Sequence, residues 1–74
     1  MTLDEARPGQ KCSIVDMFAE GVLGQRLLDM GFVQGTQIEV VRNAPLVDPV
    51  EIRMKGYLLT LRHNEARFVE VVLS

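Results

Sequence analysis

The softest metal donors in this chain are one thiol, Cys12, and one imidazole, His63, with nearby carboxylates such as Asp16, Glu20 and Glu65. Together they would form a site for a divalent transition metal, which needs several thiolate or imidazole donors converging at about 2.0 to 2.3 Å. The spacing argues against such a site. Cys12 and His63 stand far apart, with neither a C-x-x-C nor an H-x-x-x-H arrangement. The expectation is a buried thiol and a loop histidine, with no metal and no cofactor. Catalysis finds no better footing. No nucleophile and base pair up, and "GQRLLDMG" has neither the spacing nor the lysine of a phosphate-binding loop. The chain reads as a non-enzyme.

Recognition is the chemistry that the residues do suggest. In "NAPLVDPV", Asn43 to Val50, Pro45 and Pro49 restrict the backbone on either side of Leu46, Val47 and Asp48. A loop ordered in advance loses less entropy on docking, so these three residues are the first candidates for contact with a partner. The alternative is that Leu46 folds back to plug the open end of a barrel while Asp48 caps a turn through its own side chain. A second surface lies in "EGVLGQRLLDMGF". If Leu27 and Met30 face the core, Val22 and Leu28 turn partly outward beside Arg26, an apolar centre with a charged rim. Leu28 and Arg26 are the second pair of candidates, against the alternative of a helix that merely covers the barrel end.

These candidates must be positioned by a small domain. Seventy-four residues are expected to form one domain, 1–74, and a chain this short buries only about 60% of the surface its unfolded form exposes. At 47% hydrophobic and 24% charged it is globular, without repeats or low-complexity runs. No apolar stretch approaches the roughly 20 residues that span a bilayer, and the N-terminus lacks the pattern of a secretory signal. A single cysteine suits a reducing compartment, so the expectation is cytoplasmic. A net charge of -2, with Lys11, Arg26, Arg42, Arg53, Lys55, Arg62 and Arg67 dispersed among acids, argues against nucleic acid as a partner.

Along the chain, "MTLDEARPGQ" reads as a lead-in turn, and "KCSIVDMF" as a strand with Cys12 and Ile14 on one face and Ser13, Val15 and Met17 on the other. The helical spacing of Leu23, Leu27 and Met30 predicts about three turns. They end at a left-handed Gly31 with Phe32 folded back on Leu27. Gly24 weakens this helix by up to roughly 1 kcal/mol. "TQIEVVR" alternates as a strand with Ile38 and Val40 inside. "PVEIRMKGYLLTLR" is a hairpin with Lys55-Gly56 as its loop. That register pairs Met54 with Tyr57, Ile52 with Leu59 and Val50 with Leu61 on one face, and a one-residue slip would bury Arg53 and Glu51. "HNEA" reads as a single helical or 3₁₀ turn with Asn64 as a candidate cap, and "RFVEVVLS" as the last strand. Five short strands and one short helix close most economically into an SH3-like barrel, with the five-stranded oligonucleotide-binding barrel as the nearest rival.

The stretch from Arg26 to Val71 carries, in order, an R-L-L-D-x-G-F helix exit, a glycine opening a strand, an A-P-L-x-D-P segment, a basic K-G-Y hairpin and a final acidic-apolar strand. It resembles the ferrous iron transport protein A family, FeoA, and "LDEARPGQKCSIVDM" is similar to that family's start. The resemblance implies an SH3-like cytoplasmic accessory protein. Its partner would be FeoB, the membrane-embedded ferrous iron transporter with a cytosolic GTP-binding domain, whose assembly or GTP-linked activity it would modulate without entering the membrane. Self-association through a barrel edge stays open. The same fold recurs as the C-terminal domain of metal-dependent repressors of the diphtheria-toxin-regulator type. A stand-alone metal-sensing domain is therefore the second reading, although this chain carries no DNA-reading helix-turn-helix. The family usually has glycine where this chain has Val47 and often proline where it has Gln34.

Overall fold

Pairing of apolar faces organises the chain, which a computed structural model describes over residues 1–74. After a 3₁₀ turn at Leu3–Glu5 come β1 (Lys11–Met17), α1 (Gly21–Met30), β2 (Gln37–Ala44), β3 (Val47–Met54), β4 (Tyr57–Leu61), α2 (His63–Ala66) and β5 (Val69–Leu73). The strands form one antiparallel sheet in the order β4-β3-β2-β1-β5. Its five strands and short helix make the small SH3-like fold that the alternation predicts.

The β3–β4 hairpin adopts the expected register, with Val50 opposite Leu61, Ile52 opposite Leu59 and Met54 opposite Tyr57. Lys55 (φ 54°) and Gly56 (φ 84°) are both left-handed, the pattern of a two-residue loop whose twist matches its strands. Val50, Ile52, Met54 and Leu61 are buried, but Tyr57, beside the loop, stays half exposed. The exit from α1 is also as expected. Gly31 is left-handed at φ 102°, its N–H bonds to the Leu28 carbonyl, and the Phe32 N–H reaches the Leu27 carbonyl at 3.0 Å. This double bond pattern satisfies carbonyls the helix would orphan, and it delivers Phe32 into the core beside Leu27.

Irregularities in the ladders curl the sheet. A register shift in β1 between Ile14 and Asp16 changes the phase of alternation, so Cys12 and Ile14 are buried but Met17, expected on the opposite face, packs against the same core. Two further shifts bend β2 against β3 at Val40/Arg42 and Arg42/Ala44. The second accommodates Pro49 in a central strand, because the missing N–H falls where the ladder is already interrupted.

Three sequence expectations are corrected. "NAPLVDPV" is not a loop: β2 runs to Ala44 and β3 starts at Val47, so only Pro45 and Leu46 lie outside the strands. The lead-in is more than a turn, since Leu3 and Ala6 join the core and the Val71 N–H bonds the Met1 carbonyl on the outer edge of β5. The N-cap of α2 is Arg62 rather than Asn64. The Arg62 N–H donates to Glu65 Oε1 at 2.9 Å, a contact made from the third helical position back to the cap.

Gly24 also behaves differently from its helix propensity. A Cβ there would stand 2.4 Å from the carbonyl oxygen of Ala19, a backbone atom that cannot swing aside. Alanine in mid-helix ordinarily stabilises by about 1 kcal/mol; Gly24→Ala is instead expected to destabilise by about 1–3 kcal/mol through overpacking. Thermal denaturation checks the sign, at roughly 4–8 °C per kcal/mol for a domain of this size. A raised Tm would show that the Ala19 backbone yields.

Candidate functional site

The tip of the β2–β3 hairpin holds the least economical residue in the molecule. Leu46 is 100% exposed and sits at φ 62°, in the left-handed region that L-residues avoid at about 1–2 kcal/mol. Proline before a positive φ is the sequence of a type II turn, whose second central position favours glycine. Leu46 occupies it without burying anything, so the idea that it plugs the barrel is overturned. Positive φ falls on Leu46 and not on Val47, which is extended at the start of β3 and 58% exposed.

The base of this turn is held by a polar relay. Asn43, near the end of β2, donates its amide to the carbonyls of Asp4 (2.9 Å) and Ala6 (2.6 Å), which turns its oxygen toward His63 Nε2 at 2.8 Å. The other ring nitrogen, Nδ1, lies 2.7 Å from Asp48 Oδ1, which also accepts the His63 backbone N–H at 2.7 Å. Each ring nitrogen thus has its own oxygen partner, one from β2 and one from β3. Asp48 therefore caps α2 from β3, not its own turn. The His63 backbone N–H and then its ring hold the Asp48 carboxyl below the usual carboxylate range, with Arg62 adding to the effect. Asn43 and Asp48 thus clamp both strands below Leu46 onto α2 and, through Asp4 and Ala6, onto the lead-in.

The helical candidates divide. Arg26 pairs with Glu65 of α2 and shares with Asp48, Arg62 and Glu65 a cleft of about 410 Å³. Leu46 borders a separate hollow, lined also by Asn43 and His63. Leu28, partly exposed, belongs to neither; it lies with Val15 and Val33 by another cleft. The structure therefore links the turn to Arg26 through Asp48 and leaves Leu28 apart. Sequence reasoning missed Asn43 and His63 as the clamp. No local signal announces it, because the partners come from β2, β3 and α2.

The donors considered for a metal are dispersed. Cys12 is fully buried, and burial pushes its thiol up, away from the thiolate that a metal would bind. Both His63 nitrogens are engaged and Glu65 is held by Arg26. No group of three or more His, Cys, Asp or Glu converges as a ligand set.

This architecture, a bulged five-stranded antiparallel sheet with a short helix after its first strand, defines a small SH3-like domain. Residues 1–73 match the model of the FeoA domain, and the chain belongs to the FeoA family of ferrous iron transport proteins. It is 44% identical over 73 residues to the Fe(2+) transport protein A/Fe(2+) transporter FeoB fusion protein of Porphyromonas gingivalis, covering 99% of this chain but 9% of the fusion. It is 32% identical to the Fe(2+) transport protein A of Campylobacter jejuni, over 99% of both chains. Among solved structures, the FeoA protein of Chlorobium tepidum superposes with a TM-score of 0.87 at 40% identity, covering 99% of this chain and 70% of that one. Stenotrophomonas maltophilia FeoA, complexed with zinc and described as a prokaryotic SH3 domain protein, gives 0.87 at 26% identity over 97% of this chain and 89% of that one. A manganese-dependent transcriptional repressor shares the fold, with a TM-score of 0.90 over 100% of this chain and 36% of that one, at 14% identity.

The relay has a pH signature. Because the folded carboxyl of Asp48 titrates below its unfolded value of about 3.9, its contribution to stability is complete above that value and is lost as pH falls through the folded one. In urea denaturation, Asp48→Asn is expected to be less stable than the parent at pH 6 to 7, with the gap closing below about pH 4. A gap constant with pH would mean that His63 does not depend on the charge of Asp48.

Proposed function

We propose that this chain docks on a FeoB-type ferrous iron transporter, from the cytoplasmic side, through the Pro45–Leu46 turn, and that it modulates the transporter's assembly or GTP-linked activity. One observation carries the reading: Leu46 accepts an unfavourable backbone conformation while wholly exposed, above a base clamped by Asn43, His63 and Asp48. Strain kept without any packing return is the mark of a residue held for contact, and a preformed knob docks at a lower entropic cost. Val47 extends the apolar contact. Asp48 serves as its support, and Arg26 borders the same cleft as Asp48.

The FeoB-type partner is supported by the Porphyromonas gingivalis relative, in which the two components form one polypeptide. No helix of this chain is long and apolar enough to cross a membrane, which suits docking rather than insertion. GTP hydrolysis then belongs to the partner, and this chain supplies shape.

Binding to the full-length transporter in nanodiscs is the test. Leu46→Asp is expected to weaken binding at least tenfold while shifting stability by no more than the roughly 0.5 kcal/mol of an ordinary surface change, since aspartate tolerates a left-handed backbone better than leucine. Leu46→Gly is expected to lose binding similarly with an unchanged or raised Tm. Full binding by both variants would sink the reading.

A further inference from the structure

Between α1 and α2 lies a further cleft, of about 630 Å³, that the turn does not use. Its apolar lining includes Val22, which is 88% exposed in the first turn of α1, and Phe68. Its rim is formed by Arg26, Arg62 and Arg67, with Glu65 as the one carboxylate among its lining residues. In a chain of net charge -2 this is a local reversal of sign.

Glu65 is spent on Arg26 and leaves Arg62 and Arg67 as the charge excess of that rim. Its side chain is only 15% exposed; one oxygen accepts the Arg62 backbone N–H at 2.9 Å and the other takes Arg26. The Arg62 side chain is 71% exposed, and its nearest carboxylate oxygen is on Asp48 at 3.9 Å, a group already bound to His63. Arg67 has no carboxylate within 4.0 Å; its guanidinium stands over the Phe68 ring at 5.2 Å. A guanidinium steadied on an aromatic face and short of an anion is arranged to take a carboxylate through two parallel hydrogen bonds.

Charge and apolarity together define the occupant. We propose that this cleft receives an acidic segment of a partner protein, its carboxylates on Arg62 and Arg67 and one apolar side chain against Val22 and Phe68. Taken with the docking reading on which that identification rests, the segment belongs to the transporter, which would then hold the domain at two points.

The test begins with the isotope-labelled full chain and a short synthetic peptide of glutamates and leucines. Amide shifts are expected to cluster on Val22, Arg26, Arg62, Arg67 and Phe68, with affinity falling at least tenfold from about 50 to 300 mM salt as screening shortens. Arg62→Glu/Arg67→Glu is expected to abolish them, Arg67→Glu alone, at a residue without an ion-pair partner, to weaken them with Tm maintained, and Arg62→Lys/Arg67→Lys to weaken them, since lysine lacks the paired donors. Absence of shifts, equal binding of a lysine-for-glutamate peptide, or the same shifts with inorganic phosphate alone would overturn the proposal. Against the transporter in nanodiscs, loss of binding with Arg62→Glu/Arg67→Glu is expected. Retained binding there, together with loss in Leu46→Asp, would overturn the cleft and leave the turn standing. A transporter that ignores the parent chain, while the peptide still seats in the cleft, would overturn the docking reading alone.

Discussion

The burial of one face of β3 governs the rest of the molecule. Val50, Ile52 and Met54 lie inside at 0–1% exposure, and β3 pairs on both sides, with β2 and with β4. Side chains in a strand alternate with a period of two, so once these three are inside, Glu51 and Arg53 must be outside and both neighbouring registers follow. The same constraint sets where the strand must fail. Upstream of Val50, Pro49 and the irregular ladder against β2 release Asp48 from the alternation, and Asp48 becomes free to reach α2.

That release connects the core to the surface. Asp48 and Asn43 leave the two strands of one hairpin and meet on opposite nitrogens of His63, and Asn43 continues to the backbone of Asp4 and Ala6. Four segments, the lead-in, the two strands of the hairpin and α2, are thus tied below the exposed Leu46. A small domain with few apolar residues to spare can hold a leucine out in water and in a strained turn only if the turn's base is fixed by other means. Hydrogen bonds to a charged carboxylate, among the stronger polar contacts available, fix it here. The two helices frame a cleft in which arginines outnumber carboxylates, so the apolar knob and the basic cleft offer different chemistry to whatever approaches.

What could be foreseen came from local rules. The β3–β4 register followed from six apolar residues placed symmetrically about Lys55-Gly56, and the exit from α1 followed from Gly31 and Phe32. What was misjudged involved residues whose state depends on a neighbour far along the chain. Leu3 and Ala6 looked like part of a turn until β5 and α2 closed over them. Gly24 looked like a weakness in its helix, yet the carbonyl of Ala19 leaves no room for a larger residue. Asn43 to Val50 looked like a loop because two prolines usually mark one, but the ladder interruption lets Pro49 stay in a strand.

The sequence by itself determined the β3–β4 register, the cap at the exit of α1 and the central parts of the strands, because alternation, turn chemistry and capping are decided within a few residues; five such strands then favoured an SH3-like barrel over its five-stranded rival. It also singled out Leu46, Val47 and Asp48, through the prolines beside them. Only the tertiary structure decided that Leu46 is wholly exposed, that Asp48 is a clamp on His63, that Arg26 shares a cleft with Asp48 while Leu28 does not, and that Arg62 and Arg67 line one cleft. Exposure, ion pairing and charge excess are properties of side chains brought together across β2, β3, α1 and α2. Spacing along a chain carries no term for such meetings; the folded geometry supplies it.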